Sequence, residues 1–286
     1  MNWVDTTADA ATTGLRANAP RRWKPTPLVW LSMLFHGAMI PALLLFPGHW
    51  RGIVLALVGN HLILAGLGLW PRSSLVGANL VRLPQPVAKR GEMSLTFDDG
   101  PDPQVTPQVL DLLDRHGAKA SFFFAAKQAA LYPALVQDIV RRGHSVENHS
   151  YSHSNAFACY GLGRLRREVA SSQALVARLT GRMPVFFRAP MGLRSPLLDP
   201  VLAQAGLRHI AWTRRGFDTV NRDAGKVLRR LTRGLSAGDV LLLHDGNAAR
   251  TRDGIAVVLV VLPKLLESIA AQGLKSVSLP AAFQDN

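Results

Sequence analysis

The amino-acid sequence predicts an α/β protein, a distorted parallel (β/α) barrel that is preceded by a hairpin of two transmembrane helices. Two observations support this fold class. From Gly91 onward, short apolar runs alternate with helical segments at the spacing of strand–helix units, which is typical of a parallel sheet or barrel. Upstream, residues 28–46 and 53–70 are almost continuously apolar, and each has the length of roughly 20 residues that a helix needs to cross a bilayer.

These patterns divide the 286 residues into four parts. We expect residues 1–27 to be a disordered cytoplasmic tail, 28–70 a transmembrane hairpin, 71–90 a linker and 91–280 the globular domain. A buried helical hairpin in a soluble protein is the alternative for the two apolar segments. A cleaved signal peptide fits poorly, because the first apolar stretch starts late and is too long.

The first half of the globular domain contains three predicted strands. Residues 93–97 form a strand that ends in the turn at 100–103, and a helix follows to about residue 116. Next come a strand at 120–125, a helix at 132–142 and a strand at 144–148. Residues 164–180 have helical spacing, and Gly181 is a natural stop for that helix.

The second half continues the alternation. A strand at 185–187 is followed by a helix at 196–205, a strand at 208–213 and a helix at 224–235. The unbroken apolar run at 240–243 predicts a buried strand. A long amphipathic helix at 255–271 and a final strand at 274–279 complete the domain.

The charge is strongly basic, with 33 Lys and Arg against 19 Asp and Glu, a formal charge of +14 and a pI of about 11.1. Such a balance suits an anionic partner such as membrane lipid or a polyprenyl-phosphate sugar. We predict no nucleic-acid partner, because the arginines are scattered and no binding motif is present. A solvated basic face beside a membrane is the simpler alternative. Cys159 is the single cysteine, so no intramolecular disulfide can form.

Positive charges flank the hairpin on both sides. Arg51 is the one basic residue in the turn of the hairpin, whereas several basic residues precede and follow the two apolar segments: Arg16, Arg21, Arg22, Lys24, Arg72, Arg82, Lys89 and Arg90. The positive-inside rule then places both flanks in the cytoplasm. We therefore predict a multi-pass protein of the inner (cytoplasmic) membrane, with its globular domain on the cytoplasmic face.

Adjacent carboxylates close the first strand of the domain, at Asp98 and Asp99. Two carboxylates side by side repel each other unless a cation or a proton relieves the repulsion. Successive side chains of an extended segment diverge, so one can bind a metal ion while the other acts as a base. A solvated acidic turn is the alternative for this motif alone.

His149 and His153 form the second motif. Histidines at i and i+4 share one face of a helical turn, so we expect such a turn to bring both rings to one ion. With Asp99 they make a set of two histidines and one carboxylate that leaves a position open for water. This set is typical of catalytic zinc, whereas the pair of histidines alone is more often structural.

Arg188 and His244 each follow a predicted strand. The arginine can pair with the free carboxylate of Asp98 and aim it. The histidine can donate a proton to a leaving amine, with Asp218 to orient its ring and raise its pKa. A surface salt bridge and a satisfied core histidine are the alternatives. All these polar residues fall at the carboxyl ends of strands, where parallel barrels gather their active sites.

The segment from about Gly91 to Leu279 resembles the NodB-homology polysaccharide deacetylases, which include chitin and peptidoglycan deacetylases. Its matching motifs are Thr96–Gly100, His149–His153, Arg188–Gly192 and Leu242–His244, in the order of the family. The resemblance covers about two thirds of the chain. It implies a hydrolase that cleaves carbon–nitrogen bonds other than peptide bonds, on the deformed barrel of that family.

The resemblance also implies a role for each matched residue. Asp98 would be the general base, His244 the general acid, and Arg188 and Asp218 their respective partners. The backbone N–H of Met191 would help to hold the oxyanion, and Leu242 would line the acyl pocket. Zinc would be the cofactor, with cobalt or nickel as alternatives, on the ligands Asp99, His149 and His153.

One motif departs from the family pattern. Where similar enzymes carry Asp-x-x-Asp-Trp, this sequence has Arg215 and Thr219 around Asp218. The missing Trp usually forms part of the wall of the substrate groove. The resemblance therefore implies the reaction but not the identity of the substrate. Three interpretations stay open: a deacetylase of a polysaccharide, a deacylase or deformylase of a lipid-linked amino sugar such as a polyprenyl-phosphate sugar, and a catalytically silent carbohydrate-binding scaffold. The oligomeric state is not predicted.

Overall fold

The computed structural model describes residues 18–284. Arg16 and most of the predicted tail lie outside this range. Residues 18–26, the end of that tail, make defined contacts with the globular domain, because Arg21 N donates to Ala203 O at 2.8 Å and Trp23 Nε1 donates to Asp199 Oδ2 at 3.0 Å.

Two long apolar helices follow, α1 (Pro27–Leu45) and α2 (Trp50–Gly68), which are joined by a 3₁₀ turn at Pro47–His49. Each helix has 19 residues and is therefore about 28 Å long, close to the thickness of a hydrocarbon core. Only 11% and 6% of their apolar windows are buried, unlike the core helices of a soluble protein. Both are long and apolar enough to cross a membrane.

Polar groups within the hairpin satisfy each other. Asn60 Nδ2 donates to Ser32 Oγ at 2.8 Å across the two helices, and Thr26 caps α1 by accepting from Val29 N. An amide in the middle of an apolar helix is thereby paired inside the hairpin, as polar residues between membrane helices commonly are.

The globular domain is a curled sheet of parallel strands. In the described part of the chain the strands are β1 Glu92–Asp98, β2 Ala120–Phe124, β3 Ser145–Asn148, β4 Phe186–Phe187, β5 Arg208–His209, β6 Arg214–Arg215, β7 Val240–His244 and β8 Lys275–Ser276. Their order across the sheet is β5, β4, β3, β2, β1, β7, β6, and β8 pairs with the beginning of β1. The predicted distorted parallel (β/α) barrel is confirmed, in the form of a curled half-barrel.

Helices connect and cover these strands. They are α3 Gln85–Lys89, α4 Thr106–Arg115, α5 Ala126–Ala129, α6 Pro133–Arg141, α7 Leu162–Thr180, α8 Leu198–Gln204, α9 Ala224–Thr232, α10 Val257–Ala271 and α11 Leu279–Phe283. A large core lies between the sheet and α4, α6 and α10. Phe97 and Phe122 stack there with ring centroids 5.1 Å apart. This packed layer holds the carboxyl ends of the strands in one plane.

The predicted strand at 208–213 is wrong in its extent, because its segment belongs to both edges of the sheet. Residues 208–209 pair with β4 at one edge, and 214–215 pair with β7 at the other. The residues between them cross the open side of the half-barrel, where Leu80 of the predicted linker forms a parallel bridge with Ile210. One short segment thus links the two edges of the sheet.

The predicted final strand at 274–279 is shorter than expected. β8 ends at Ser276, although Val277 N still donates to Met93 O at 2.9 Å. A helix then begins at Leu279, because Pro280 lies in its first turn, where a missing N–H costs nothing.

Candidate active site

The polar residues of the sequence motifs meet at the rim, the name we give to the loops that follow the carboxyl ends of the strands. Asp98 is the last residue of β1 and is 4% exposed. Asp99 adopts a left-handed backbone with φ of 71°. Its Oδ1 lies 2.9 Å from His153 Nε2, whereas Asp98 Oδ1 accepts from Arg188 Nη1 at 2.6 Å. The two carboxylates therefore point to different partners, as the sequence predicts.

The segment His149–His153 is a loop, and the predicted helical turn is wrong. Ser150 and His153 have positive φ values of 66° and 50°, which a right-handed helical turn excludes. Side-chain hydrogen bonds hold the loop instead: Ser150 N donates to Asn148 Oδ1 at 3.0 Å, and His153 N donates to Ser150 Oγ at 3.1 Å. These local bonds compete successfully with helix formation.

The loop nevertheless brings both histidines to Asp99. Its Oδ1 lies 2.9 Å from His153 Nε2 and 3.4 Å from His149 Nε2, and the three ligand atoms lie within 4.8 Å of one another. His149 Nδ1 is 2.8 Å from Arg188 O, so it donates there and leaves Nε2 as a free lone pair. Two imidazole nitrogens and one carboxylate oxygen are a donor set that fits Zn²⁺ with an open position.

Asp99 and His153 shift each other's pKa in opposite directions. Burial raises the pKa of Asp99, but hydrogen bonds and charge from His149 and His153 outweigh it and hold the pKa far below its usual range. For His153, burial lowers the pKa, and Asp99 outweighs burial so that the net pKa is raised. The Asp99 carboxylate is thus held in its charged form, which is the form that binds a cation.

Arg188 is fully buried beneath Asp98. Its Nη1 donates to Asp98 Oδ1 at 2.6 Å and to Thr96 Oγ1 at 2.8 Å. The rest of its donors satisfy the carbonyls of the crossing segment, Ile210 O at 3.2 Å and Ala211 O at 3.1 Å. Burial lowers the pKa of Arg188, and Asp98 opposes that effect. Arg188 therefore aims Asp98 and also fills the open side of the half-barrel.

His244 and Asp218 form a buried pair. Asp218 Oδ1 lies 2.8 Å from His244 Nδ1, and Asp218 Oδ2 accepts from His244 N at 2.8 Å. Burial lowers the pKa of His244, but Asp218, followed by Asp98 and Asp99, outweighs burial and raises the pKa above its usual value. This geometry fixes the ring and favours its protonated form, as a general acid requires.

Met191 and Leu242 lie near these groups. Met191 has φ of 57° in the 3₁₀ turn Pro190–Gly192, and its side chain is half exposed. Leu242 is buried beside Ala211 and Trp212. A groove of about 430 Å³ opens next to the metal ligands, and its lining includes Asp99, Asp102, Lys127, Gln128, His153 and Asn247.

Arg214 and Arg215, in the motif that differs from the family pattern, have different environments. Arg214 Nε donates to the buried carboxylate of Asp239 at 2.7 Å, so Arg214 stabilises the fold. The Arg215 guanidinium lies 5.4 Å from the Trp212 ring centroid and 5.0 Å from that of Phe217. Arg215 therefore lies between two aromatic rings, in the motif that departs from the pattern of similar enzymes.

Backbone strain is concentrated at the rim. Within residues 18–284, the side-chain-bearing residues with positive φ are Asp99, Ser150, His153, Met191, Phe217 and Asn247, and each follows a strand end. At the opposite end of the barrel, glycines such as Gly117 and Gly143 take positive φ at no steric cost. Such strained positions cost about 1–3 kcal/mol each and are typical of functional sites.

Two acidic residues that support the site, Asp245 and Glu168, were not predicted from the sequence. Asp245 accepts from Thr106 Oγ1 at 2.6 Å, and burial raises its pKa to about 7 despite that bond. It packs so closely on Gly100 that any side chain there would collide with it. Glu168 accepts from Tyr151 N at 3.1 Å and from Ser152 N at 2.9 Å. Asp245 follows His244 directly, a signal that could have marked it, whereas Glu168 lies on a helix with no such signal.

Known proteins share this arrangement over about two thirds of the chain. The polysaccharide deacetylase family model matches residues 86–210. A peptidoglycan-N-acetylglucosamine deacetylase of Bacillus cereus is 30% identical over 198 residues, which are 68% of this chain and 69% of that protein. A chitooligosaccharide deacetylase of Azorhizobium caulinodans is 32% identical over 193 residues, 65% of this chain and 91% of that protein.

A solved structure shows the same similarity. The family 4 carbohydrate esterase from Streptomyces lividans, in complex with acetate, is 32% identical to this chain with a TM-score of 0.59. The match covers 65% of this chain and 91% of the esterase chain. Sequence and fold therefore point to one set of relatives.

Proposed function

The chain belongs to the polysaccharide deacetylase family, whose members hydrolyse carbon–nitrogen bonds other than peptide bonds. On that premise we propose that it uses a divalent metal ion to remove an N-acyl group, acetyl by preference, from an amino sugar. The observation that supports this most strongly is the convergence of three groups at the rim: the ligand cluster Asp99–His149–His153, the Asp98–Arg188 pair and the Asp218–His244 pair. A ligand set, a base and an acid are all present.

Asp99, His149 and His153 would hold the ion, by our proposal Zn²⁺, with Co²⁺ or Ni²⁺ as alternatives. When bound, such an ion supplies Lewis-acid activation of water and of the amide carbonyl. The hydrogen bond from His149 Nδ1 to Arg188 O fixes the ring so that Nε2 faces Asp99.

The protons are moved by residues of the chain. Asp98 Oδ1 is occupied by Arg188, so Oδ2, 3.8 Å from His149 Nε2, is the atom that takes the proton from the attacking water. His244 Nε2 gives a proton to the departing amine, while Nδ1 stays bonded to Asp218. The left-handed turn at Met191 presents its backbone N–H to the developing oxyanion, and Leu242 lines the acyl pocket.

Replacement of Asp98 by Asn tests this assignment. The expected result is that acetate release from chitooligosaccharide or a peptidoglycan fragment falls on the order of 10²–10⁴-fold, since the general base is lost. The metal content of the purified protein should stay unchanged, because Asp98 is not a ligand. Asp253→Asn, which removes an exposed carboxylate of the rim, is the matched control and should keep full activity. Full turnover by Asp98→Asn would refute the mechanism.

A lipid-linked amino sugar is the substrate class that the remaining features favour, with deformylation as an alternative to deacetylation. The two apolar helices, the basic charge of +14 and Arg215 in place of the aspartate of the relatives all suit a substrate that carries phosphate and resides in a membrane. We propose accordingly a multi-pass protein of the inner membrane with its catalytic domain on the cytoplasmic face. If the intact protein, with its metal ligands, base and acid in place, turned over neither a polysaccharide nor a lipid-linked sugar, it would be a silent carbohydrate-binding scaffold.

A further inference from the structure

The first end of the apolar hairpin is attached to the rim. Residues 18–26 run along α8, from Ala203 near its end to Asp199 near its beginning. Since α8 follows the rim loop of β4, its beginning lies on the rim side of the barrel. Thr26 Oγ1 then donates to Leu75 O at 2.5 Å, and α1 starts at the next residue.

The second end of the hairpin is attached at the same place. Arg194, which follows the rim turn that contains Met191, donates from its backbone N to Gly68 O at 3.2 Å. A side chain on Gly68 would collide with Arg194 O, so the contact between α2 and the rim is close. The Arg194 guanidinium, 5% exposed as a residue, donates to Ser73 O and Ala78 O and fixes the chain after the hairpin.

The hairpin therefore projects away from the domain on the rim side. In α1 the buried residues are Val29 and Ser32 in the first two turns, and in α2 the buried residue is Gly68 at the end. If the hairpin crosses a bilayer, the surface of that bilayer lies at the level of the rim.

Exposed apolar side chains of the domain are confined to this same side. From residue 71 to 284, the large apolar side chains that stay exposed are Leu75, Leu131, Tyr151, Met191, Leu197, Phe217, Val220 and Ile255. Leu75 is at the root of the hairpin, Leu131 lies between α5 and α6 and lines the groove beside Asp99, and the others lie in loops after strands. Val220 is 76% exposed, the highest value among them. A soluble rim would not need this concentration of apolar surface.

Basic groups lie beside Phe217 and close in sequence to Val220, in the loop that carries both side chains. Arg215 and Arg230 have their guanidinium carbons 5.0 and 5.1 Å from the Phe217 ring centroid, and Arg222 follows Val220 by two residues. None of the three arginines forms an ion pair with a carboxylate of the described residues. Apolar tips with unpaired cations beside them are typical of segments that bind the headgroup region of anionic bilayers.

We propose that the rim docks on the anionic lipid surface next to the hairpin, with the loop 216–223 inserted at the headgroup level. The mouth of the active site then opens at the bilayer, and a lipid-borne sugar reaches Asp98 and His244 without leaving the membrane. This inference rests on the membrane anchorage within the proposed function, and it adds an orientation of the domain.

The lone cysteine makes the orientation measurable. In a Cys159→Ala background, a cysteine placed at Val220 is labelled with bimane, and the full chain is reconstituted in nanodiscs of equal parts phosphatidylcholine and phosphatidylglycerol. Doxyl lipids should quench the label at Val220 at least twofold more than a label at Gln272, an exposed position at the opposite end of the barrel. Equal quenching at the two positions would overturn the proposal.

The arginines and the chemistry are tested separately. Arg222→Gln together with Arg230→Gln should reduce quenching at Val220, and unchanged quenching would overturn the role of charge. Quenching needs no turnover, so an Asp98→Asn chain should dock as well as the active one. If the chain that keeps Asp98 docks but shows no turnover, only the proposed function is refuted. If it turns over while the label at Val220 stays unquenched, only docking is refuted.

Discussion

At the residue scale, His244 shows how one carboxylate can set both the direction and the charge of a ring. Asp218 accepts from its backbone N and from Nδ1, both at 2.8 Å, so the ring has no freedom to turn. Burial alone would lower the pKa of His244, and the net raised pKa is the result of the nearby carboxylates. The protonated form of His244, our proposed general acid, therefore depends on charges that a single substitution can remove.

Asp218→Asn should shift the pH profile of the enzyme. Without the Asp218 charge, the pKa of His244 falls, so the protonated acid is lost at a lower pH. The alkaline limb of kcat/KM should move toward lower pH, and kcat should fall roughly 10- to 100-fold, a part of the 10²–10⁴ that a general acid contributes. Measurement of kcat/KM against pH, with Asp253→Asn as control, checks this. An unshifted alkaline limb would argue that another group is the acid.

At the element scale, the loop 149–153 is built by its neighbours more than by its own propensity. Glu168 on α7 accepts both Tyr151 N and Ser152 N, and its other oxygen accepts from Ser152 Oγ at 2.8 Å. The carbonyls of Ser150 and Tyr151 accept from the start of α5, at 3.0 Å each. The positions of both histidines thus depend on two helices.

Glu168→Gln should therefore weaken metal binding although Glu168 touches no metal ligand side chain. Loss of one acceptor oxygen leaves a loop N–H or hydroxyl poorly paired and lets the histidines move. We expect Zn²⁺ affinity to fall about 10- to 100-fold, the usual cost of losing a supporting partner of a metal site. Competition with a chromophoric chelator measures the Kd, and circular dichroism verifies the fold. Glu267→Gln, an exposed change on α10, should leave the Kd unchanged; an equal drop there would show a nonspecific effect.

The elements show what periodicity can and cannot predict. Strands β1, β2, β3 and β7 follow from short apolar runs, since they are buried on both faces, and helices α4, α7 and α10 follow from apolar spacing, since each buries one face. The loop 149–153 does not, because four-residue spacing of histidines fits a helix equally well. Its left-handed residues, Ser150 and His153, are held by local bonds to Asn148 Oδ1 and Ser150 Oγ, and Glu168 on α7 adds contacts to Tyr151 and Ser152 that leave no local signal.

At the scale of the whole molecule, the prediction of the half-barrel and of its rim succeeded because strand ends in a parallel sheet must lie together. The crossing of segment 208–215 between the two edges of the sheet could not be predicted. It depends on how the whole sheet curls, and the residues of the segment carry no signal for it. The family motifs predicted a set of residues that the structure brings together at the rim, and their catalytic roles stay predictions, whereas Asp245 and Glu168 required the structure.

The proposed orientation of the chain in the membrane is also a prediction about the whole molecule. Reporter fusions after Asn286 should give active green fluorescent protein and inactive alkaline phosphatase, because the basic flanks of the hairpin favour the cytoplasm. Truncated fusions after Gly48, in the turn, should give the reverse pattern. Active phosphatase after Asn286 would place the domain outside and make a polymer the better substrate.

The central position of β1 also governs when the domain can form during synthesis. Thr96 Oγ1 donates to Leu241 O, 145 residues later, and Leu95 N donates to Ser276 Oγ, 181 residues later. At about 5–20 residues per second, the ribosome delivers β7 roughly 7–30 s after β1. During that interval the hairpin can already be in the bilayer while one edge of the strand that ends at Asp98 has no partner. With the hairpin in a bilayer, as we propose, the nascent chain would be tethered before it can fold, and its half-barrel would close at the membrane surface.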